Sequence, residues 1–247
     1  MNVEANNIVE TEHETANDFV AQYLSARGKE QRIYSNEEIA LLPDVAVSHQ
    51  YYKEWQVRKA SAARLINYLK RKDKPLAILE VGCGNGWLSA AMSKIKNSAV
   101  TGIDINEVEL QQAKETFKSV PNVHFVATDI ESHLLKKKSF DVIVFAASLQ
   151  YFSSLFDVLK IALSLLSKEG EIHIIDTHFY KPDEVASARQ RTEEHYSSLG
   201  FPALANHYFH HSITDLKPFN YKILFNPYCL LNRYVGRKNP FYWIRIK

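Results

Sequence analysis

An apolar segment that ends in closely spaced glycines constrains the fold of this chain more than any other feature of its sequence. Residues 77–82 form an apolar run that contains one acid, Glu80, and Gly84 and Gly86 follow it. Such a run is typical of a strand that is buried on both faces. Glycines after a strand permit a sharp turn, and they leave backbone N–H groups free to donate hydrogen bonds to a ligand. The segment therefore predicts a strand, a ligand-binding turn and a helix, in that order.

The spacing of the glycines argues against two common nucleotide sites. A dinucleotide fingerprint, G-x-G-x-x-G, would place glycine at position 87, where this chain has Trp87. The G-x-x-x-x-G-K-S/T loop of nucleoside triphosphatases is absent from the sequence. Asp104 ends the next apolar run, where an acid can accept hydrogen bonds from ribose hydroxyls. A charged hydrogen bond of this kind contributes about 1.5–3 kcal/mol.

Strands and helices alternate through the rest of the chain, which is the pattern of a parallel sheet with crossover helices. Strands are expected over residues 77–82, 99–104, 123–128, 141–147 and 171–177, and helices over 52–70, 87–96, 152–167 and 182–200. Asn106 is expected to cap a further helix, and Gly170 to end the helix before the fifth strand. Residues 1–50 are expected to be irregular, because Pro43 would break a long helix. Residues 221–225 and 241–247 alternate like an antiparallel hairpin that closes the sheet.

These motifs resemble those of the class I, Rossmann-like methyltransferases that use S-adenosylmethionine. Residues 78–86 are similar to the glycine-rich first motif of that family, and residues 102–106 to its acidic second motif. The resemblance implies an α/β, three-layer fold with a seven-stranded, mostly parallel sheet whose last strand is antiparallel. It covers residues 52–180 well, and the chain would divide into an N-terminal helical cap or lid (1–74) and a methyltransferase domain (75–247).

The resemblance also implies that S-adenosylmethionine binds at the carboxyl edge of the sheet and leaves as S-adenosylhomocysteine. Glu80 should pair with the amino end of the cofactor or with nearby N–H groups, because an unpaired buried carboxylate is costly. Asp129 follows the third strand, where the carboxylate would meet the adenine amino group. Arg58 either closes over the cofactor carboxylate or belongs to a solvated helix face. The cofactor-binding residues expected in total are Glu80, Gly82, Cys83, Gly84, Gly86, Asp104, Ile105, Asp129, Ile130 and Ala146.

Methyl transfer from a sulfonium disperses charge, so the protein would contribute mainly alignment and the exclusion of water. Where the acceptor must lose a proton, His178 after the fifth strand is the first candidate for the base and Tyr151 the second. The competing interpretations are a turn histidine and a tyrosine that lines the pocket. His207, His210 and His211 lack a matching second cluster, so no metal is expected.

Composition and charge indicate an ordinary globular protein and point to no particular partner. The 247 residues are 46% hydrophobic and 23% charged, with a formal net charge of +2. The first twenty residues are acidic and polar, unlike a signal or transit peptide, and a cytoplasmic location is expected. No apolar stretch approaches the length of a membrane span, so stable membrane association is not expected. The sequence leaves the oligomeric state open.

Three classes of function remain, of which methylation of a small-molecule acceptor is favoured. The basic, aromatic tail after Asp215 favours a second class, the methylation of a nucleic acid such as RNA. Residues 148–151 argue against methylation of a nucleic acid, because they lack the Asn/Asp-Pro-Pro-aromatic loop of amino-methylating DNA enzymes. A nucleic-acid partner is therefore not expected. A scaffold without transferase activity, or a relative of the polyamine synthases, is the third class. Residues 226–240 either cover the acceptor pocket, which we favour, or rest on a membrane and serve a lipid-linked acceptor.

Overall fold

A seven-stranded sheet with helices on both faces forms the body of the protein. The computed structural model describes residues 18–135, 139–229 and 239–247. The helices are α1 (residues 18–29), α2 (Asn36–Leu41), α3 (Tyr52–Lys70), α4 (Trp87–Met92), α5 (Glu107–Thr116), α6 (Leu155–Ser164) and α7 (Val185–Ser198). The strands are β1 (Leu76–Val81), β2 (Ser98–Asp104), β3 (Val123–Ala127), β4 (Phe140–Ala146), β5 (Leu166–Ile175), β6 (Tyr221–Phe225) and β7 (Trp243–Ile246).

The order of the strands places a crevice at the carboxyl end of the sheet. The order is β3-β2-β1-β4-β5-β7-β6, and β7 runs antiparallel to both of its neighbours while the first five strands are parallel. This confirms the expected α/β fold with a seven-stranded, mostly parallel sheet. The chain leaves β1 in one direction and returns to its other side with β4. Ligands bind outside the strand ends at such a switch point.

Two apolar layers hold the helices against the sheet. On one face, Leu155 and Leu159 of α6 pack near Phe145 of β4. On the other face, Leu65 of α3 and Leu88 of α4 pack over the same strands. The central strand β4 is therefore covered on both sides, as its continuous apolar sequence predicts.

Local capping signals fix several of the helix ends. The side chain of Asn106 accepts a hydrogen bond from the N–H of Glu109 at 3.2 Å, which begins α5 as expected. Ser154 begins α6 in the same way, and Gly200, with φ of +81°, follows the end of α7. Helix α3 has the expected bounds, and the hairpin of β6 and β7 closes the sheet where it was predicted.

Two expectations about local structure are wrong. Residues 18–50 are not irregular, because they contain α1 and α2; the latter begins with a capping box between Ser35 and Glu38. Gly170 does not cap a helix, since it lies inside β5. A side chain at Gly170 would place its Cβ 2.9 Å from the carbonyl oxygen of Phe140, where the register between β4 and β5 shifts. The glycine therefore serves a close approach of two strands.

The segment 226–240 is only partly described. Residues 230–238 lie outside the described residues, as do residues 1–17 of the expected N-terminal cap. Among the helices that the structure describes, none combines the length and apolar character needed to cross a bilayer.

Candidate functional site

A cavity of about 370 Å³ opens at the carboxyl ends of β1, β2 and β4, where the strand order reverses. Its floor is formed by the turn after β1, including Gly82 and Gly84, and by Asp104 at the end of β2. Ala146 at the end of β4 completes this side. The volume lies within the range of pockets for small ligands.

The glycines after β1 allow the turn to pass between tightly packed neighbours. A Cβ on Gly82 would lie 2.5 Å from the Cβ of Ser148, and φ of Gly82 is +72°. A Cβ on Gly86 would lie 2.5 Å from the ring of Phe125, and Gly86 begins α4 with φ of +75°. Other side chains would strain both positions. Gly86 does not line the cavity, so its observed role is the close packing of the turn against β3.

Asp104 connects the glycine turn to the floor of the cavity. Its Oδ2 accepts a hydrogen bond from the N–H of Gly84 at 2.7 Å, and its Oδ1 accepts one from the N–H of Asn106 at 2.9 Å. Burial raises the pKa of Asp104, although these N–H donors oppose the shift. A carboxylate has about four acceptor positions, so acceptor capacity remains for the hydroxyls of a ligand.

Two further acids, the buried Glu80 and the half-buried Glu109, line the same cavity. Glu80 of β1 accepts a hydrogen bond from the hydroxyl of Ser89 at 2.5 Å, and burial raises the pKa of Glu80 to about 8. Glu109 of α5 lies beside Gly84, and burial together with the charge of Asp104 raises the pKa of Glu109 to about 7. Acids with such raised pKa values gain from a cation that stabilises their charged form.

A network of guanidinium groups also lines the cavity. The carboxylate of Glu54 forms ion pairs with the guanidinium groups of Arg32, at 2.7 Å, and of Arg58, at 3.0 Å. Burial alone would raise the pKa of Glu54, but the hydrogen bond from Arg32 and the charges of both arginines lower it to about 2. Arg58 therefore lines the cavity instead of a solvated helix face, and the indole of the buried Trp55 lies beneath its guanidinium.

The described lining of this cavity carries more acid than base. Three guanidinium groups stand against five carboxylates, which would leave a net charge of −2 with every group ionised. Because the pKa values of Glu80 and Glu109 are raised to about 8 and about 7, this full charge is reached only above about pH 8, where the field disfavours a diphosphate and favours a ligand with positive charge. The acids are Glu54, Glu80, Asp104, Glu109 and Asp129, and the bases are Arg27, Arg32 and Arg58.

Helix α1 covers the cavity from the side away from the sheet, and the sequence analysis missed it. Phe19, Val20, Tyr23 and Arg27 all line the cavity, so one face of the helix points into it. Their spacing is helical, and this was the signal that could have revealed the helix. Glu109 was missed as well, although the Asn106–Glu109 pair has the spacing of a capping box.

The structure places nearly all the expected cofactor-binding residues in the lining of this cavity. Besides those already described, Asp129 lines it with an exposed carboxylate whose Oδ1 accepts from the N–H of Glu131 at 2.7 Å. Gly86 is the exception, for the reason given above. The expected residues that line the cavity are Glu80, Gly82, Cys83, Gly84, Asp104, Ile105, Asp129, Ile130 and Ala146.

The two candidate bases have different positions. Tyr151 lines the cavity, and burial raises its pKa although the charge of Arg27 opposes the shift. His178 does not line it; its ring packs 4.3 Å from that of Tyr180 and 6.3 Å from that of Phe241. Burial lowers the pKa of His178, which keeps its imidazole neutral at pH 7.

The three histidines that follow α7 have separate surroundings. His210 shares a hydrogen bond of 2.9 Å with the hydroxyl of Thr192, and His211 bonds the carbonyl of Leu149 at 2.9 Å. The ring of His207 packs 4.8 Å from that of Phe19. Within the part of the chain that the structure describes, no cluster of three or more potential ligands suits a metal ion.

Comparison with known sequences identifies one matching family. A family model described as a methyltransferase domain matches residues 72–215, which is more than half of the chain. A malonyl-[acyl-carrier protein] O-methyltransferase of Bacillus cereus is 34% identical over 154 residues, covering 60% of this chain and 55% of its own length. The corresponding protein of Halalkalibacterium halodurans is 31% identical over 132 residues, covering 50% and 49%. The chain thus spans about half the length of the curated relatives it matches.

Solved structures share the fold at low sequence identity. The structure of the plantazolicin methyltransferase in complex with SAH has a TM-score of 0.55 and 19% identity, covering 95% of this chain and 98% of its own. Magnesium protoporphyrin IX methyltransferase from Synechocystis, with bound SAM, has a TM-score of 0.54 and 12% identity, covering 85% and 88%. These similarities extend over most of the sheet and its helices.

Proposed function

Because this chain belongs to the methyltransferase-domain family and has its class I, Rossmann-like fold, we propose that it transfers a methyl group from S-adenosylmethionine to a small-molecule acceptor. The observation that carries the proposal is the excess of acidic side chains in the lining of the cavity beside the glycine turn. A sulfonium and an ammonium group would be attracted there, whereas the diphosphate of a dinucleotide would be repelled.

The residues of the cavity fit the parts of this cofactor. Asp104 would accept hydrogen bonds from the ribose hydroxyls, and Asp129 would meet the amino edge of adenine. Glu80 and Glu109 would compensate the ammonium group, since their pKa values are raised by burial. The guanidinium groups of Arg58 and Arg32 also line the cavity, and the cofactor carboxylate would bind to them.

The chain contributes to the reaction mainly by positioning the reactants and by excluding water from the cavity. The bound cofactor supplies a methyl group on a positively charged sulfur, and S-adenosylhomocysteine is left after transfer. Helix α1 shields the cavity from solvent with Phe19, Val20 and Tyr23. The raised pKa of Tyr151 keeps its hydroxyl protonated at neutral pH, so we infer that this residue orients the acceptor by donating a hydrogen bond. His178 remains a candidate base for an acceptor that extends toward Tyr180.

The acceptor atom is inferred to be oxygen. The names of the matching curated relatives support this assignment, because they describe O-methyltransferases that act on a malonyl group on a carrier protein. An acyl group on a carrier protein is therefore the second candidate acceptor, beside a free small molecule. Both would present a small polar group to the cavity.

The proposal is tested by replacing Asp104 with alanine. Asp104→Ala should weaken the binding of S-adenosylhomocysteine about ten- to hundredfold, because a charged hydrogen bond contributes roughly 1.5–3 kcal/mol. Calorimetric titration gives the dissociation constants. Asp157→Ala is the matched control, since Asp157 is exposed on α6 and does not line the cavity. Equal affinities for wild type and Asp104→Ala would argue against the assigned ribose contact.

A further inference from the structure

A second cavity adjoins the first one and shares a wall with it. Its volume is about 320 Å³. Tyr23, Arg27, Gln150 and Tyr151 line both cavities, as does the network of Arg32, Glu54 and Arg58, and these residues form the junction between them. A molecule in the second cavity would therefore approach a cofactor in the first at these residues.

The far wall of the second cavity is formed by α7 and the segment after it. Arg191, Thr192, His195 and Tyr196 of α7 line this cavity but not the first. Tyr208 packs its ring edge-on against Tyr151 at 5.9 Å, which continues the wall back to the junction. Aromatic walls of this kind favour a planar or partly apolar ligand.

The described lining of the second cavity carries more base than acid, although three of its four guanidinium groups, Arg27, Arg32 and Arg58, also line the first cavity. Four guanidinium groups stand against two carboxylates, a net charge of +2. Both carboxylates are already engaged by cations. Glu54 pairs with Arg32 and Arg58, as described, and Glu30 lies 3.5 Å from Arg27 and 3.7 Å from Arg32.

Two guanidinium groups have unused capacity for an anion. Arg191 donates to the hydroxyl of Ser187 at 3.3 Å, and it forms no ion pair within the described residues. The Nε of Arg27, at the junction, is buried and has no hydrogen-bond partner among the same residues. A buried donor without a partner is costly, and a ligand oxygen would remove that cost.

We propose that the second cavity binds the methyl acceptor and that this acceptor carries an oxyanion, a carboxylate or phosphate, at a distance from the atom that is methylated. Arg191 contacts the oxyanion from the far wall, while the accepting atom lies at the junction beside Tyr151 and Arg27. The inference rests on the proposed function, because it takes the first cavity as the site of the methyl donor. Guanidinium groups bind both kinds of oxyanion through paired N–H donors.

The test uses three small aromatic probes on the protein saturated with S-adenosylhomocysteine. Benzoate and phenyl phosphate each carry an oxyanion, and benzamide is the neutral counterpart of benzoate. Calorimetry should show that at least one anionic probe binds roughly tenfold or more tightly than benzamide, as the difference of one charge-assisted contact predicts. Comparison of benzoate with phenyl phosphate identifies which oxyanion the cavity prefers.

Substitutions on α7 locate the contact. Arg191→Gln should weaken the binding of the preferred anionic probe about tenfold or more and leave benzamide unchanged. Arg189→Gln is the matched control, because Arg189 lies on the same helix, pairs with Glu193 at 3.0 Å and does not line the cavity. Neither substitution should alter the affinity for S-adenosylhomocysteine, which also verifies that both variants are folded.

The outcomes separate this inference from the function on which it rests. Similar binding of all three probes, or an Arg191→Gln variant with wild-type affinity for the anions, would overturn the acceptor proposal while binding of S-adenosylhomocysteine persists. Failure of S-adenosylhomocysteine to bind would overturn the proposed function itself.

Discussion

Glu80 is a carboxyl group on a buried strand, and its surroundings set the pH at which it is charged. Burial raises its pKa to about 8, although the hydroxyl of Ser89 donates a hydrogen bond to it. The carboxyl therefore holds its proton below that pH and attracts a cation only above it. Glu109 follows the same rule with a pKa of about 7.

We predict that the affinity for S-adenosylmethionine rises as the pH increases from 6 to 9, because both acids then become charged. Glu80→Gln should bind the cofactor more weakly at pH 9 and show a shallower rise, since only Glu109 still titrates. Calorimetry across this pH range measures both curves. The comparison with the variant removes the ligand's own titration, which is common to both proteins. Curves of equal slope would show that Glu80 does not face the cofactor cation.

The raised pKa of Glu80 also affects the stability of the protein without ligand. A carboxyl group whose pKa is higher in the folded state stabilises the fold at low pH, and this contribution is lost as the pH rises through about 8. Because this loss begins near the ordinary pKa of 4.5 and is complete near 8, the free energy of unfolding of Glu80→Gln relative to the wild type should increase between pH 6 and pH 9. The increase should be at least about 1 kcal/mol, or roughly 2–4 °C in Tm. Thermal unfolding at both pH values measures it. A difference that is the same at pH 6 and pH 9 would contradict a titrating Glu80.

At the residue scale, the sequence predicted which side chains line the cavity better than it predicted how they pack. Glu80 and Asp104 line the cavity as expected, because an acid in or after a buried strand needs a polar partner. Gly86 has a packing role, which depends on how closely Phe125 of another strand approaches it. Arg27 could not be identified, because its surroundings come from segments that are distant in the sequence.

At the scale of elements, helix α1 is the part of the site with the least support from the sheet. It lies outside the β-α alternation and contributes one face, including Phe19 and Tyr23, to the first cavity. A ligand that fills the cavity would pack against that face and stabilise the helix.

We predict that S-adenosylhomocysteine slows backbone amide exchange in residues 18–29. Hydrogen–deuterium exchange measured by mass spectrometry, with and without the ligand, reports the change. Helix α6 is the internal control, since it packs on the sheet and none of its residues lines the cavity. Protection of α6 equal to that of α1, or no protection of α1, would contradict a covering role for α1.

The elements that were predicted correctly are those with continuous or strictly periodic patterns. Strand β4 and helix α3 have strong local signals, and both lie where they were expected. Helix α1 was missed because polar residues interrupt its apolar face. The start of β5 was missed because Gly170 and the charged residues before it are also typical of a helix end.

At the scale of the whole molecule, the fold follows from the order of elements, whereas the character of the cavity does not. The alternation of strands and helices predicted the parallel sheet, and the family model over residues 72–215 agrees with it. The charge of the cavity arises from α1 and the segment after it, from α3, β1, β2 and α5, and from the segment after β3, which meet only in the folded chain. That charge is the basis for choosing a sulfonium cofactor over a dinucleotide.

The most direct test of this account is a calorimetric comparison of S-adenosylmethionine with NAD on the full chain at pH 8. The acid-rich cavity and the glycine at position 86 instead of 87 predict a dissociation constant on the order of micromolar for S-adenosylmethionine and no measurable heat for NAD. Binding of NAD without binding of S-adenosylmethionine would contradict the account.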